Sequence, residues 1–418
     1  MRLLAGRNAI RRITRRDLAG MVAGVFGRRA FPQAFNPVSR PFRVDIPQAT
    51  IDRIRKRVRE TRFPERLDST DWSYGANWDY IKDLVAYWTS RYDWRKTERR
   101  LNQFPQFVAP IEGFDIHFMH VRGRGPRPFP IILTHGWPGS IVEFLETIGP
   151  LTDPARFGGA PEDAFDVVIP SLPGFGFSSK PKGKPVGLVS IARMWHTLMT
   201  EVLGYRRYGA QGGDWGSVIT IQLAVQYPGE LAGIHLNAAT VPPAGDTEVS
   251  EEEQAWRRAA NAFSQRESDY AGEQRNKPET VAFALADNPV GTAAWIIEKL
   301  KVWSDSGDDI ESVFTKDDLL SNVMVYLVTD SAPTAVWIYR GAREEGQGGP
   351  ARGKIEVPTA YAAFPREMTN LAPPRSALER GFNLVQYTTM PRGGHFAAFE
   401  QPKLFVADVR QFFRRVRS

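Results

Sequence analysis

Gly212-Gly213-Asp214-Trp215-Gly216 sets a carboxylate among glycines, after a strand-like run, Tyr205 to Ala210, and before a helix-like run from Val218. A strand, a glycine turn and a helix make a sharp elbow that lifts one side chain above a parallel sheet. Serine at such a point attacks acyl carbon. Asp214 instead attacks an sp3 carbon and leaves an alkyl ester, so the expected substrate is an epoxide or an alkyl halide. Turnover then needs a base to activate water and an acid to orient that base, in the chain order nucleophile, acid, histidine. His395 suits the base: it lies in Pro391-Arg392-Gly393-Gly394-His395-Phe396, after a strand, where glycines let the ring enter a pocket. His235 comes too early, inside the buried strand-like run Leu231 to Leu236. Glu367 follows Tyr361 to Phe364 and Pro365 and is the candidate acid, with Asp408 and Glu400, on or near the terminal helix, as competitors. The turn Thr134-His135-Gly136-Trp137-Pro138-Gly139-Ser140 and the elbow suggest two backbone N–H donors, at Trp137 and Trp215, for an oxyanion. His135 is expected to be a structural hydrogen-bonding residue and not the base.

The elements that must hold these groups alternate. Phe114 to Val121 reads as a strand near a sheet edge, because its hydrophobicity alternates, whereas Phe129 to Leu133 and Phe165 to Ile169 are uniformly apolar. With Ser140 to Ile148, Leu188 to Leu203 and Val218 to Tyr227 as helices, the pattern predicts an α/β fold with a mostly parallel sheet. Residues 41–110 read as a small helical unit, with helices at Ala49 to Thr61, Trp78 to Arg91 and the charged stretch Asp93 to Phe104. Its aromatics, Trp72 to Trp94, are expected to pack and not to form a binding face. Core segments follow at 111–238 and 355–418. They flank a mostly helical insertion at 239–354, a lid, whose Gly346 to Gly353 stretch reads as a return loop.

Of the net charge of +7, most comes from seven arginines between Arg7 and Arg29, opposed there by Asp17 alone. The body is therefore nearly neutral, and no basic stripe argues for nucleic acid. The absence of cysteine excludes disulfides and thiolate catalysis. His117 and His120 are three apart on a strand, so they point to opposite faces and make a poor metal pair. Residues 1–40 read as an arginine-rich tail or, through Thr14-Arg15-Arg16-Asp17-Leu18 and the apolar run Leu18 to Phe26, as a twin-arginine-like export signal. The run is too short to span a bilayer. A cytoplasmic location is the expectation, with export the alternative.

The chain resembles the microsomal-type epoxide hydrolases from about Pro41 to its carboxyl terminus. The resemblance rests on Tyr92-Asp93-Trp94, on 111–118, on HGWPGS at 135–140, SLPGFGFS at 171–178, QGGDWGS at 211–217 and RGGHFAAFE at 392–400. It implies an amino-terminal helical domain, an α/β-hydrolase core and a helical lid. It also implies a cofactor-free, metal-free reaction of a hydrophobic epoxide with water, and is compatible with a homodimer. By resemblance Asp214 is the nucleophile, Glu367 the acid and His395 the base. Two lid tyrosines, Tyr270 and Tyr339, then grip the epoxide oxygen; Tyr326 is a rival for the second, but its apolar stripe, Val323 to Val328, suggests packing. Phe175, Phe177, Trp137 and Trp215 are candidates for an apolar pocket. Mammalian relatives carry a membrane anchor that the arginine-rich tail does not match. The alternatives are a haloalkane dehalogenase, for which Trp215 is a candidate halide donor, and a non-catalytic binding protein on the same fold.

Overall fold

The computed structural model describes residues 38–417, except 69–70, 240, 242–247, 347–352 and 369–371. The arginine-rich segment and its export-signal alternative thus lie outside the described residues, as does most of the return loop. The described strands form one sheet: β1 (Arg40–Phe42), β2 (Gln106–Ile111), β3 (Phe114–Val121), β4 (Phe129–Thr134), β5 (Phe165–Pro170), β6 (Tyr208–Gly212), β7 (Leu231–Leu236), β8 (Ile355–Ala363) and β9 (Phe382–Thr389). Their order is β1-β2-β3-β5-β4-β6-β7-β8-β9. Pairings from β1 through β3 to β5 are antiparallel, and those from β5 through β4 to β9 are parallel. Every residue of β5 and of β7 is buried. The helices Leu188–Thr197 and Trp215–Gln226 pack together, as do Leu145–Thr152 and Pro402–Val416, and strands covered on both faces need no polar alternation.

β3 is not near the edge. β2 folds back onto it through a two-residue turn, with Ile111 opposite Phe114 and positive φ at both Glu112 (49°) and Gly113 (83°), and β1 adds outside β2. Residues Ile116 to Met119 are consequently buried. The sequence pattern hid β2 because Pro110 lies within it and it follows directly on a charged helix.

β1 and β2 bracket the helices Gln48–Arg59, Trp78–Ser90 and Trp94–Leu101. Trp88, Tyr92 and Trp94 are core residues there, while Tyr74 is exposed. Between β7 and β8 lies a helical lid: Glu251–Glu267, Asp269–Asn276, Pro278–Leu285, Pro289–Val302, Lys316–Val328, Ala332–Ala335 and Trp337–Glu344. Three of these, Asp269–Asn276, Ala332–Ala335 and Trp337–Glu344, are short and carry Gly272, Pro333 and Gly341, which blunt the helical signal. Among the described residues no single helix is long and apolar enough to cross a membrane.

Candidate active site

Parallel strands deliver their carboxyl ends to one edge of a sheet, and loops from that edge build the site. β6 ends at Gly212, and Asp214 follows with φ 50° and ψ −132°, a backbone conformation disfavoured for any residue with a Cβ and costing about 1–3 kcal/mol. The close crossing behind it requires glycine: a Cβ on Gly216 would lie 2.0 Å from the Thr134 carbonyl oxygen. The helix begins at once with Trp215, three residues earlier than its apolar pattern suggests.

Asp214 uses both carboxylate oxygens. Oδ1 accepts the Trp137 N–H at 2.8 Å, and Oδ2 lies 3.1 Å from His395 Nε2. His395 Nδ1 lies 2.8 Å from Glu367 Oε1, so the imidazole joins the Asp214 and Glu367 carboxylates. The two loops carrying the last pair are joined by a parallel bridge between Arg366 and Gly394. Burial disfavours the imidazolium, but the hydrogen bonds and charges of Asp214 and Glu367 outweigh it and push His395 up to about 10. Trp215, as first residue of its helix, has no intrahelical acceptor for its N–H. Among the described contacts it makes no hydrogen bond to Asp214, so only the Trp137 donor is engaged with the carboxylate.

Tyr270 and Tyr339 come together from separate lid helices, with the Tyr339 hydroxyl donating to that of Tyr270 at 3.4 Å. Trp137 stacks on Tyr270 at 5.3 Å, and Trp215 meets Tyr339 edge-on at 4.9 Å, so the rings beside the nucleophile hold both phenols over it. Burial, reinforced by the Asp214 charge, raises both hydroxyls well above the ordinary tyrosine range, keeping them proton donors. Tyr326 is instead wholly buried and donates to the Gly139 carbonyl, clamping the turn that carries Trp137. Phe175 packs on His135 and Tyr326, and Phe177 on Phe42 and His117.

Two family models match the chain: "Epoxide hydrolase N terminus" over residues 39–144 and "alpha/beta hydrolase fold" over residues 130–402. Epoxide hydrolase 1 of Oryctolagus cuniculus is 37% identical over 406 residues, covering 89% of this chain and 88% of that protein. The chain belongs to the microsomal-type epoxide hydrolase family. The solved Aspergillus niger epoxide hydrolase superposes with a TM-score of 0.79 at 32% identity, over 90% of this chain and 96% of that one. The juvenile hormone epoxide hydrolase of Bombyx mori gives a TM-score of 0.81 at 29% identity, over 91% and 95%. The protein is an α/β-hydrolase-fold enzyme with epoxide hydrolase activity toward hydrophobic epoxides.

The competitors for the acid position have other work in this epoxide hydrolase. Asp408 Oδ2 pairs with the buried His235 at 2.9 Å, and its Oδ1 accepts from Gln386 and Thr388 at 2.8 and 2.6 Å. Glu400 accepts the backbone N–H groups of Asp305, Gly394 and Phe396 at 2.8, 2.9 and 2.9 Å, and so pins the histidine loop to the lid. His135 has its Nδ1 3.0 Å from the carbonyl of Gly136, and burial lowers its pKa to about 4, so it stays neutral at neutral pH. His117 is buried between Ser171 and Gln106, and His120 pairs with Tyr205.

Sequence reasoning missed Glu143. It lies three residues beyond Ser140 with its carboxyl over Gly139, and lines a cavity of about 20 Å³ with Asp214, His395 and Trp137. That volume admits about one water. Burial, only partly offset by the nearby His395 charge, pushes Glu143 up to about 8, which leaves a neutral carboxylic acid at neutral pH. A lone acid inside an otherwise apolar helix start (Ile141, Val142, Phe144) was the available signal.

Proposed function

We propose that this epoxide hydrolase works through an ester on Asp214, and that it forms vicinal diols from hydrophobic epoxides such as styrene oxide. Asp214 attacks a ring carbon while the breaking C–O bond passes its electron pair to the epoxide oxygen, which takes a proton from the tyrosine pair. Esterification removes the negative charge that held the proton on His395. That proton restores the phenol, and the neutral imidazole then deprotonates a water in the cavity beside Glu143. The water attacks the ester carbonyl, whose oxygen takes the place Oδ1 occupies on the Trp137 N–H, and a second donor at Trp215 becomes available as charge builds. Collapse releases the diol, whose new oxygen comes from Asp214, and leaves the water oxygen in the carboxylate.

The observation that carries this reading is the division of the Asp214 carboxylate between a backbone donor at 2.8 Å and the imidazole at 3.1 Å. One oxygen sits where an oxyanion needs stabilising, and the ring stands where water must be activated. The tyrosine pair opposite favours an epoxide oxygen over a halide leaving group. Names of relatives, among them juvenile hormone epoxide hydrolases, agree with a lipophilic substrate.

The test is a single turnover of styrene oxide in ¹⁸O-water with enzyme in excess. The first diol is expected to be unlabelled, with the label in the peptide containing Asp214. First-turnover diol carrying one ¹⁸O per molecule would mean direct attack by water and would sink the ester mechanism. Asp214→Ala is expected to abolish turnover, and His395→Gln to trap the protein one substrate mass heavier.

A further inference from the structure

Tyr270 has a cation against its ring, and Tyr339 has none among the described residues. The Lys299 ammonium lies 4.6 Å from the centroid of Tyr270 and 5.8 Å from that of Trp303. Lys299 is only 7% exposed, and its ammonium pairs with Glu298 at 2.7 Å. Three rings also contact Tyr270, Trp137 stacked at 15°, Trp303 at 5.4 Å and Tyr339 edge-on at 5.9 Å, while the Glu298 charge reaches the same phenol and opposes the cation. The hydrogen bond inside the pair has the same polarity, since Tyr339 donates and Tyr270 accepts, which leaves the Tyr270 proton free for the substrate.

We propose that Lys299 directs proton donation to Tyr270, which protonates the epoxide oxygen while Tyr339 holds it in place. As the Tyr270 proton leaves, negative charge spreads from the phenol oxygen into the ring, and an ammonium over that ring stabilises it. Because Lys299 is itself buried, the effect is stronger than that of an exposed cation–π contact. Lys299 touches neither substrate nor nucleophile; it is a positioning residue that fixes a positive charge against the acid. The inference rests on the ester mechanism and on Tyr270 being an acid in it.

Ester formation and ester hydrolysis, followed separately by rapid quench with styrene oxide, test it. Lys299→Met is expected to slow ester formation about tenfold and to leave hydrolysis unchanged, while Lys299→Arg stays within about threefold of the parent. Because Lys299→Met leaves Glu298 buried without its partner, the double variant Glu298→Gln/Lys299→Met serves as the folding control and should show the same slowing. In a Tyr270→Phe background the Lys299→Met change should add less than about twofold, the signature of an effect passing through Tyr270. Wild-type ester formation in the double variant, or equal slowing with and without the Tyr270 hydroxyl, overturns the proposal. Unchanged ester formation in Tyr270→Phe alone overturns the acid assignment beneath it.

Discussion

At the scale of single residues, the chemistry follows from how each charge is supported. His395 is buried, yet two carboxylates hold it up to about 10, so in the resting enzyme it carries a proton at neutral pH. In the proposed mechanism the ester at Asp214 carries no charge and loses that oxygen as a hydrogen-bond partner, so the pKa falls if that ester forms. The sign is fixed: removing a neighbouring anion lowers a cationic acid's pKa. Ester hydrolysis is therefore expected to rise with pH to a plateau whose midpoint lies well below 10, whereas ester formation stays flat across neutral pH. Single-turnover rates across the pH range check this. Hydrolysis that accelerates only near pH 10 would show that something other than Asp214 holds the imidazole proton.

At the scale of elements, two turns must approach each other closely enough to share one carboxylate. The strand–turn–helix at β4 and that at β6 meet where Gly136 faces Asp214, and a Cβ on Gly136 would lie 2.0 Å from Asp214 Oδ1. Gly136→Ala is expected to push the carboxylate off the Trp137 N–H and to reduce kcat about a hundredfold or more, the usual range for a lost oxyanion donor. Circular dichroism should stay native, because the displaced group is one side chain at a sheet edge. Activity within threefold of wild type would mean that the Trp137 donor is dispensable.

At the scale of the whole molecule, the lid does more than cover the site. The His395 N–H donates to the Trp303 carbonyl at 2.9 Å, and the Gly393 N–H to Asp305 at 2.8 Å, so the catalytic loop is partly suspended from the lid. Beneath the sheet a second histidine–carboxylate pair, His235 with Asp408, ties β7 and β9 to the terminal helix. Removing Asp408 leaves buried donors without their acceptor, each at a cost of about 1–3 kcal/mol. Asp408→Ala is expected to lower the urea midpoint by a corresponding amount, while the folded fraction keeps kcat within about threefold. Accumulation of an Asp214 ester in this variant would instead mark Asp408 as the orienting acid.

How much of this was legible in the sequence depends on the range over which each feature is determined. The elbow at Asp214, the Trp137 turn and the glycines before His395 are local, since backbone sterics within a few residues allow few other conformations. Placement after the Tyr361 to Phe364 strand favoured Glu367 over Asp408 and Glu400, and its distance of 2.8 Å from His395 Nδ1 is a tertiary fact. The apolar strands β4, β5 and β7 announced a parallel sheet by composition alone, whereas β2, interrupted by Pro110, became a strand only by pairing with β3. Tyr270 and Tyr339 lie 69 residues apart on two short helices, and residue type alone marks neither out. Glu143 and Lys299 are ordinary charged residues until packing buries them beside Asp214 and Tyr270. The sequence by itself marked Asp214 and His395 as the candidate reacting groups, because their backbone settings are short-range. The tertiary structure decided which groups tune them, because desolvation and charge act through space and not along the chain.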